Sequence, residues 1–452
     1  MTDTSEFSTP MMKQYRQVKK QNPDCLLFFR LGDFYELFME DAKIGAHILG
    51  ITLTKRHKGK DGDIPMAGVP YHAVDSYLSK LVKAGHKVAI CEQTSEPDGK
   101  GIVQREVTRI VTPGTVLDEK TLERKENNYL ISITLQKNIL GLAYVDISTG
   151  DFEVNEVATH TLDQTLADEL SRLNPAECIL PESLYSNFQI LRTLKKQRGL
   201  NIYCFYDWDI FADNAAEILK KQFAVTTLKG YGIADKPHAL KAAAALLGYL
   251  KHTQKNRVNH LKSIHIAAKG NYVELDRSTI LNLELFSTIS DNEKKGTLIF
   301  HLDQTQTSMG ARLLRQWLLQ PLTNKEKIQE RLDTVEFFFK ERQLREDMRN
   351  LLHEVLDIER ILSRLSVGIG NARDLVGLKV SLQKIVEIEN ILKTVIPDPL
   401  RLIISEASSI GDPENKNLDS LRQLADRGND INVVIQLINQ TIVDEPPIDI
   451  KQ

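Results

Sequence analysis

The chain has 452 residues, 42% of them hydrophobic and 26% charged, with a net charge of −3. That length exceeds one compact core and implies about three domains, and the balance is that of an ordinary globular protein. The near-neutral charge excludes a whole-protein basic field, so any nucleic-acid binding has to come from local patches.

Met1 to Pro10 is polar and acidic, unlike a signal peptide. The longest strongly apolar run, Ala242 to Leu250, is far short of a membrane span. Four widely spaced cysteines, Cys25, Cys91, Cys178 and Cys204, include no Cys-x-x-Cys pair. They argue against a zinc site or a disulfide framework and suit a reducing compartment, with the cytoplasm as default.

The first stretch alternates strand and helix signals. Pro10 to Lys20 opens as a short helix, and Cys25 to Phe29 is an apolar run of strand length. Gly32-Asp33 marks a turn, and Phe34-Tyr-Glu-Leu-Phe38 follows it at once. Glu40 to Leu49 reads as a helix ended by Gly50, and Ile51 to Thr54 as a strand. Val74, Tyr77, Leu78, Leu81 and Val82 repeat at helical spacing within Ala73 to Ala84, with Gly85 as the stop. Lys87 to Cys91 and Val107 to Val111 are further strands. Together, residues 1–115 read as a small mixed α/β domain.

Thr112-Pro-Gly-Thr115 punctuates the chain, and the charged residues 116–128 read as a linker. Residues 129–255 form a second α/β unit. Tyr129 to Thr134, Leu140 to Ile147 and Phe152 to Val157 are strands, with Ser148-Thr-Gly-Asp151 turning a hairpin between the last two. Leu162 to Leu173, Phe188 to Gln197, Asn214 to Gln222 and His238 to Thr253 carry helical patterns, and Leu200 to Phe205 is a strand. From residue 256 to 452 strand signals fade. Helical patterns follow at Leu313 to Leu318, Glu326 to Lys340, Leu344 to Leu365, Leu375 to Leu392, Leu418 to Asp426 and Ile431 to Ile442. The fold class is therefore multidomain α/β plus all-α.

The chemistry concentrates after the first turn. On an extended backbone Phe34 and Glu36 project to the same side, an apolar wedge beside a carboxyl. An inserted wedge with one hydrogen-bonding group can probe DNA for weak stacking. The same five residues also fit a half-buried strand, and pattern alone favours that reading because aromatics are generally buried. Lys55-Arg-His-Lys-Gly-Lys60 is a dense basic run, suited either to a solvated loop or to phosphates, with Arg56 the strongest candidate through its bidentate guanidinium. Met66 suits core packing better than a minor groove. Lys251 to Lys262 is basic and reads as a helix end and solvated linker. Asp146, Asp151 and Glu153 flank the hairpin and raise a two-metal nuclease as an alternative, though no third and fourth ligand is evident. His72 has no nucleophile or metal cluster beside it and reads as a capping or packing residue.

Several separated motifs carry a resemblance. Arg30-Leu-Gly-Asp-Phe-Tyr-Glu-Leu-Phe38, Ile64-Pro-Met-Ala-Gly-Val-Pro-Tyr-His-Ala73, Val88-Ala-Ile-Cys-Glu-Gln93 and Arg109-Ile-Val-Thr-Pro-Gly-Thr115 resemble the N-terminal domain of the MutS mismatch-repair family. Leu275 to Leu285, Thr305 to Leu322 and Asp357-Ile-Glu-Arg-Ile-Leu-Ser-Arg364 resemble its core domain. The resemblance runs in order along essentially the whole chain. It implies a mismatch-binding domain over 1–115, a ribonuclease-H-like connector over 129–255 and a helical core and lever over 256–452. It implies that Phe34 and Glu36 are the family's Phe-x-Glu mismatch reader, with mismatched double-stranded DNA as the ligand.

The resemblance also sets expectations for what lies outside these motifs. The family continues into a clamp and a P-loop ATPase, but no Gly-x-x-x-x-Gly-Lys-Ser/Thr occurs here. The chain is therefore expected to resemble an N-terminal portion, with no cofactor and no ATP hydrolysis of its own. ATP and magnesium, a MutL-type partner met through the connector, and a homodimer are expected of the full-length family protein. An adaptor that keeps the fold without reading DNA is a further alternative, against which the Phe-x-Glu motif counts. Exposed apolar surface is expected on the helical region.

Overall fold

A computed structural model describes residues 9–56, 63–94, 103–187, 191, 200–205, 208–255, 258–267, 272–395 and 431–447. Main-chain contacts divide the chain into two units, residues 1–123 with 127–267, and residues 124–126 with 268–452.

In the first unit, helix α1 (Pro10–Gln21) precedes β1 (Cys25–Leu31), β2 (Phe34–Phe38), α2 (Met39–Leu49), β3 (Thr54–Arg56), β4 (Ile64–Pro70), α3 (Val74–Lys83), β5 (Lys87–Gln93) and β6 (Arg105–Val111). The strands form one six-stranded sheet in the order β3-β4-β2-β1-β5-β6. Strands β1 and β5 run parallel and the other neighbours antiparallel. The apolar run of β1 is explained by burial on both faces. Leu26 and Phe28 join Tyr35, Leu37, Val88 and Ile90 in a core with α2 and α3. Cys25, Leu27 and Phe29 join Phe38 and Ala89 in a second core under Met12, Tyr15 and Val18 of α1.

Two expectations are corrected here. The strand expected at Ile51–Thr54 begins only at Thr54, because the amides of Gly50 and Ile51 both donate to the Ala46 carbonyl and close α2 first. Strand β4, interrupted in sequence by Pro65, Gly68 and Pro70, was not expected; it pairs with β2 from Phe34↔Pro70 to Phe38↔Met66.

The same unit contains β7 (Leu130–Gln136), β8 (Ile139–Asp146), β9 (Asp151–Ala158), α4 (Leu162–Leu173), β10 (Glu177–Leu180), α5 (Glu182–Asn187), β11 (Asn201–Cys204), α6 (Trp208–Asp213), α7 (Ala215–Phe223), α8 (Pro237–Thr253) and β12 (His265–Ile266). The sheet order is β11-β10-β7-β8-β9-β12. Strands β7, β8 and β9 form an antiparallel meander, and β10 and β11 add in parallel. Helix α8 buries Ala242 to Leu250 without a break, which accounts for the longest apolar run. Its start packs against bare backbone at Gly141, where a Cβ would come within 2.4 Å of the His238 carbonyl. Most of the helix expected at Phe188–Gln197 lies outside the described residues.

The Thr112–Thr115 segment is more than punctuation. It forms a buried 3-10 turn, and fully buried Glu177 of β10 accepts from the Gly114 amide at 2.8 Å and from the Thr112 hydroxyl. The other Glu177 oxygen accepts from the Tyr249 hydroxyl of α8. The stretch from Val116 to Asn128 has no helix or strand, yet Val116 and Leu122 are core residues.

The second unit is helical: α9 (Arg277–Asn282), α10 (Leu298–Leu302), α11 (Ser308–Leu319), α12 (Lys325–Lys340), α13 (Arg342–His353), α14 (Ile358–Val367), α15 (Ala372–Val395) and α16 (Ile431–Thr441). The single helix expected over Leu344–Leu365 is two helices. The Asp357 side chain accepts from the Arg360 amide and starts α14 anew, and Gly368 in left-handed geometry ends it. Buried Arg312 grips Asp357 at 2.7 and 2.9 Å and also donates to the Arg124 carbonyl. Leu418–Asp426 lies outside the described residues. No described helix is long and apolar enough to cross a membrane.

Candidate nucleic-acid interface

The β1–β2 hairpin turns at Gly32, whose φ of +58° is strained for a residue with a Cβ. Leu31 then pairs with Phe34 across the turn. Along β2, Phe34, Glu36 and Phe38 share one face, and their exposure falls in that order from exposed to buried. The inner end of this face lies in the core beneath α1, while Phe34 at the outer end keeps 48% of its surface free. An aromatic ring thus stands at the tip of the sheet, on a strand paired on both sides. Gly68 lies opposite Glu36 on β4, so no side chain there covers Glu36 or Phe34.

Glu36 is only partly exposed, and its Oε2 is buried without a hydrogen-bond partner. The Arg56 guanidinium on β3 stands 3.9 Å from that oxygen, too far for a hydrogen bond but close enough for charge attraction. Burial pushes the Glu36 carboxyl up, and Arg56 opposes it. Phe34, Glu36 and Arg56 therefore lie at one corner of the sheet, where β2, β4 and β3 are neighbours. Arg56 itself is exposed. Lys55 pairs with Asp63 at 3.5 Å, and the rest of the basic run, His57 to Lys60, lies outside the described residues.

Met66 packs against the α1-side core, in line with its expected packing role. His72 neither caps nor packs inside: it is exposed, its ring edge-on to Tyr71 with centroids 5.7 Å apart. Of the basic stretch Lys251–Lys262, Lys251 and His252 stand in the last turn of α8, where cations suit the helix end. Residues 256 and 257 of that stretch lie outside the described residues.

Sequence reading missed the side chains gathered behind the turn that carries Phe34. Arg30, Tyr35, Tyr71 and Glu92 meet there, with the Tyr35 hydroxyl donating to Glu92 and the Arg30 guanidinium 3.8 Å over the Tyr71 ring. The signal available was the alternation of β1, which puts Arg30 on the face opposite Phe34.

The acidic hairpin is arranged for structure. Asp146 is fully buried; its oxygens accept from Asn127 Nδ2 at 3.1 Å, the Asn128 amide at 3.0 Å, and the Ser148 amide and hydroxyl at 2.9 and 2.6 Å. Glu153 accepts from the Tyr144 hydroxyl at 2.7 Å. The four bonds to Asp146 occupy the lone pairs that it would offer a metal.

One corner of the sheet thus carries a projecting aromatic, a half-buried acid and a flanking arginine. Comparison with known proteins shows the family. Family models described as MutS domain I, MutS domain II and MutS domain III match residues 9–120, 128–262 and 278–452. The chain belongs to the MutS family. It is similar to proteins named DNA mismatch repair protein MutS in three bacteria. The one from Syntrophomonas wolfei is 38% identical over 98% of this chain and 49% of its own length. The Halothermothrix orenii protein is 40% identical over 98% and 47%, and a Dehalococcoides mccartyi protein 41% identical over 98% and 48%. The chain spans about half the length of the curated relatives it matches.

Proposed function

We propose that this chain recognises mismatched double-stranded DNA through its deformability, with Phe34 as the wedge and Glu36 as the discriminating hydrogen-bonder. The single observation that carries this reading is the 48% exposure of Phe34 beside a carboxylate whose buried oxygen has no partner. A mispair changes the outside of a duplex little but weakens its stacking. Unstacking one step costs a few kcal/mol, and bending a site costs on the order of 1–6 kcal/mol. Part of that cost is already met at a mispair, so the difference gives a preference nearly independent of sequence. Glu36, held up by burial, binds as the neutral acid and donates to the mispaired base. Arg56 leaves Glu36 for a backbone phosphate, a stronger bidentate partner.

The wider reading follows the family. Residues 1–115 are the mismatch-binding domain, 116–128 the linker, 129–255 a ribonuclease-H-like connector and 256–452 the helical core and lever. The meander β7-β8-β9 continued by parallel β10 and β11 supports the connector assignment. The full-length protein, on this reading, is a homodimer that uses ATP with magnesium and signals to a MutL-type partner through the connector.

The test compares mismatched and matched oligonucleotide duplexes by fluorescence anisotropy. Phe34→Ala should abolish the preference for the mismatch and leave matched-duplex affinity within about twofold, since the wedge adds only the unstacking-dependent part. An unchanged preference in Phe34→Ala removes the wedge and the reading with it.

A further inference from the structure

Resting on that reading, we propose that Arg30 is a positioning residue that stiffens the turn carrying Phe34. The strand ladder reaches Leu31 and Phe34 but leaves out Gly32 and Asp33 between them. The turn instead depends on contacts from behind. Arg30 Nε donates to the Gly32 carbonyl at the apex. Its guanidinium lies 3.8 Å from the centre of the Tyr71 ring and 5.4 Å from that of Tyr35. Its Nη1 is 3.9 Å from Glu92, the acceptor of the Tyr35 hydroxyl. The Tyr71 amide in turn donates to the Asp33 carbonyl at 2.9 Å. Both turn carbonyls are thus tied to one stacked Arg30–Tyr71 pair.

Arg30 pairs in register with Tyr35 and so projects from the face opposite Phe34. Its side chain is only 18% exposed. It therefore acts on DNA through the backbone of the turn rather than by touching a phosphate. A wedge on a yielding turn folds back before a base pair unstacks, whereas a wedge on a braced turn transmits the load. Lysine cannot replace arginine here, because the brace uses a planar stack and an Nε donor together.

The experiment uses the whole chain with Arg30→Gln, Arg30→Lys, Tyr71→Ala and Tyr71→Phe, and Phe34→Ala as reference. Affinities for matched and mismatched duplexes are measured across salt. 2-Aminopurine beside the mispair reports unstacking, and thermal melting reports folding. Arg30→Gln, Arg30→Lys and Tyr71→Ala should each lower the mismatch-to-match ratio about tenfold, a fraction of the unstacking cost, and weaken the 2-aminopurine signal. Matched-duplex affinity and its salt slope should stay unchanged, and Tyr71→Phe should behave as the parent. Arg30→Gln lowering both affinities with a shallower salt slope would identify a phosphate contact and overturn the proposal. A parental ratio in Arg30→Gln while Phe34→Ala loses it would also overturn it, leaving the wedge intact. If Arg30→Gln fails to fold, Tyr71→Ala decides, because Tyr71 is at the surface. A parental ratio in Phe34→Ala removes the wedge, and the brace falls with it.

Discussion

Glu36 stands between two opposed effects, burial that favours the neutral acid and an arginine 3.9 Å away that favours the anion. Burial prevails, so the folded carboxyl lies above its unfolded value. The sign for stability follows from linkage. A raised folded value means the folded state binds the proton more tightly, so the contribution is fully present below the unfolded value of about 4.3 and is lost as pH rises through the folded value. Glu36→Gln should therefore gain stability relative to the parent between about pH 4 and about pH 7 in urea unfolding. On the proposed reading the same proton is retained or taken up by Glu36 in the DNA complex. Mismatch affinity of the parent should fall as pH rises, and that of Glu36→Gln should stay flat. A parent with no such slope, or a variant with the same slope, contradicts a protonated Glu36.

At the scale of elements, Glu177 joins three of them with one side chain. Its carboxylate serves the Gly114 amide, the Thr112 hydroxyl and the Tyr249 hydroxyl from full burial. Glu177→Ala strands those donors, each at about 1–3 kcal/mol, so a loss of at least about 2 kcal/mol is expected in urea unfolding. Glu177→Gln, which keeps an acceptor, should lose less, and an alanine variant as stable as the parent would show these bonds to be idle. This junction also marks the limit of what sequence discloses. Local signals were legible: Gly50, Gly85 and the Ser148–Asp151 turn end or turn their elements as read, and Leu162–Leu173 is observed with the same ends. The Phe34–Glu36 face was legible too, because alternation is a local property. Partners distant in sequence were not. Nothing near Glu177 announces Thr112, 65 residues away. Nothing near Arg30 announces Tyr71 or Glu92. The prolines of β4 concealed a strand that only its neighbours stabilise, and Asp357 cut a helix that hydrophobic spacing alone had joined.

On the scale of the whole molecule, the helical unit contrasts with the two sheets. Its described cores are small, one around Leu344, Met348 and Leu392 and another around Ile361, Leu378 and Ile438. Charge pairs such as Arg312 with Asp357 and Lys379 with Asp444 supplement them. Apolar surface remains outside, as expected for this region. Ile328, Leu332, Val335 and Phe339 recur along one face of α12, with Val335 64% and Phe339 77% exposed, and α12 buries none of its residues. A contiguous apolar stripe of this kind favours association over isolation. Sedimentation velocity should therefore show association that grows with protein concentration. Val335→Glu combined with Phe339→Glu should shift the distribution toward monomer. Because both side chains are exposed, unfolding free energy should change by no more than about 0.5 kcal/mol per site. A parent chain that sediments as a monodisperse monomer at every concentration would mean that this stripe does not drive association.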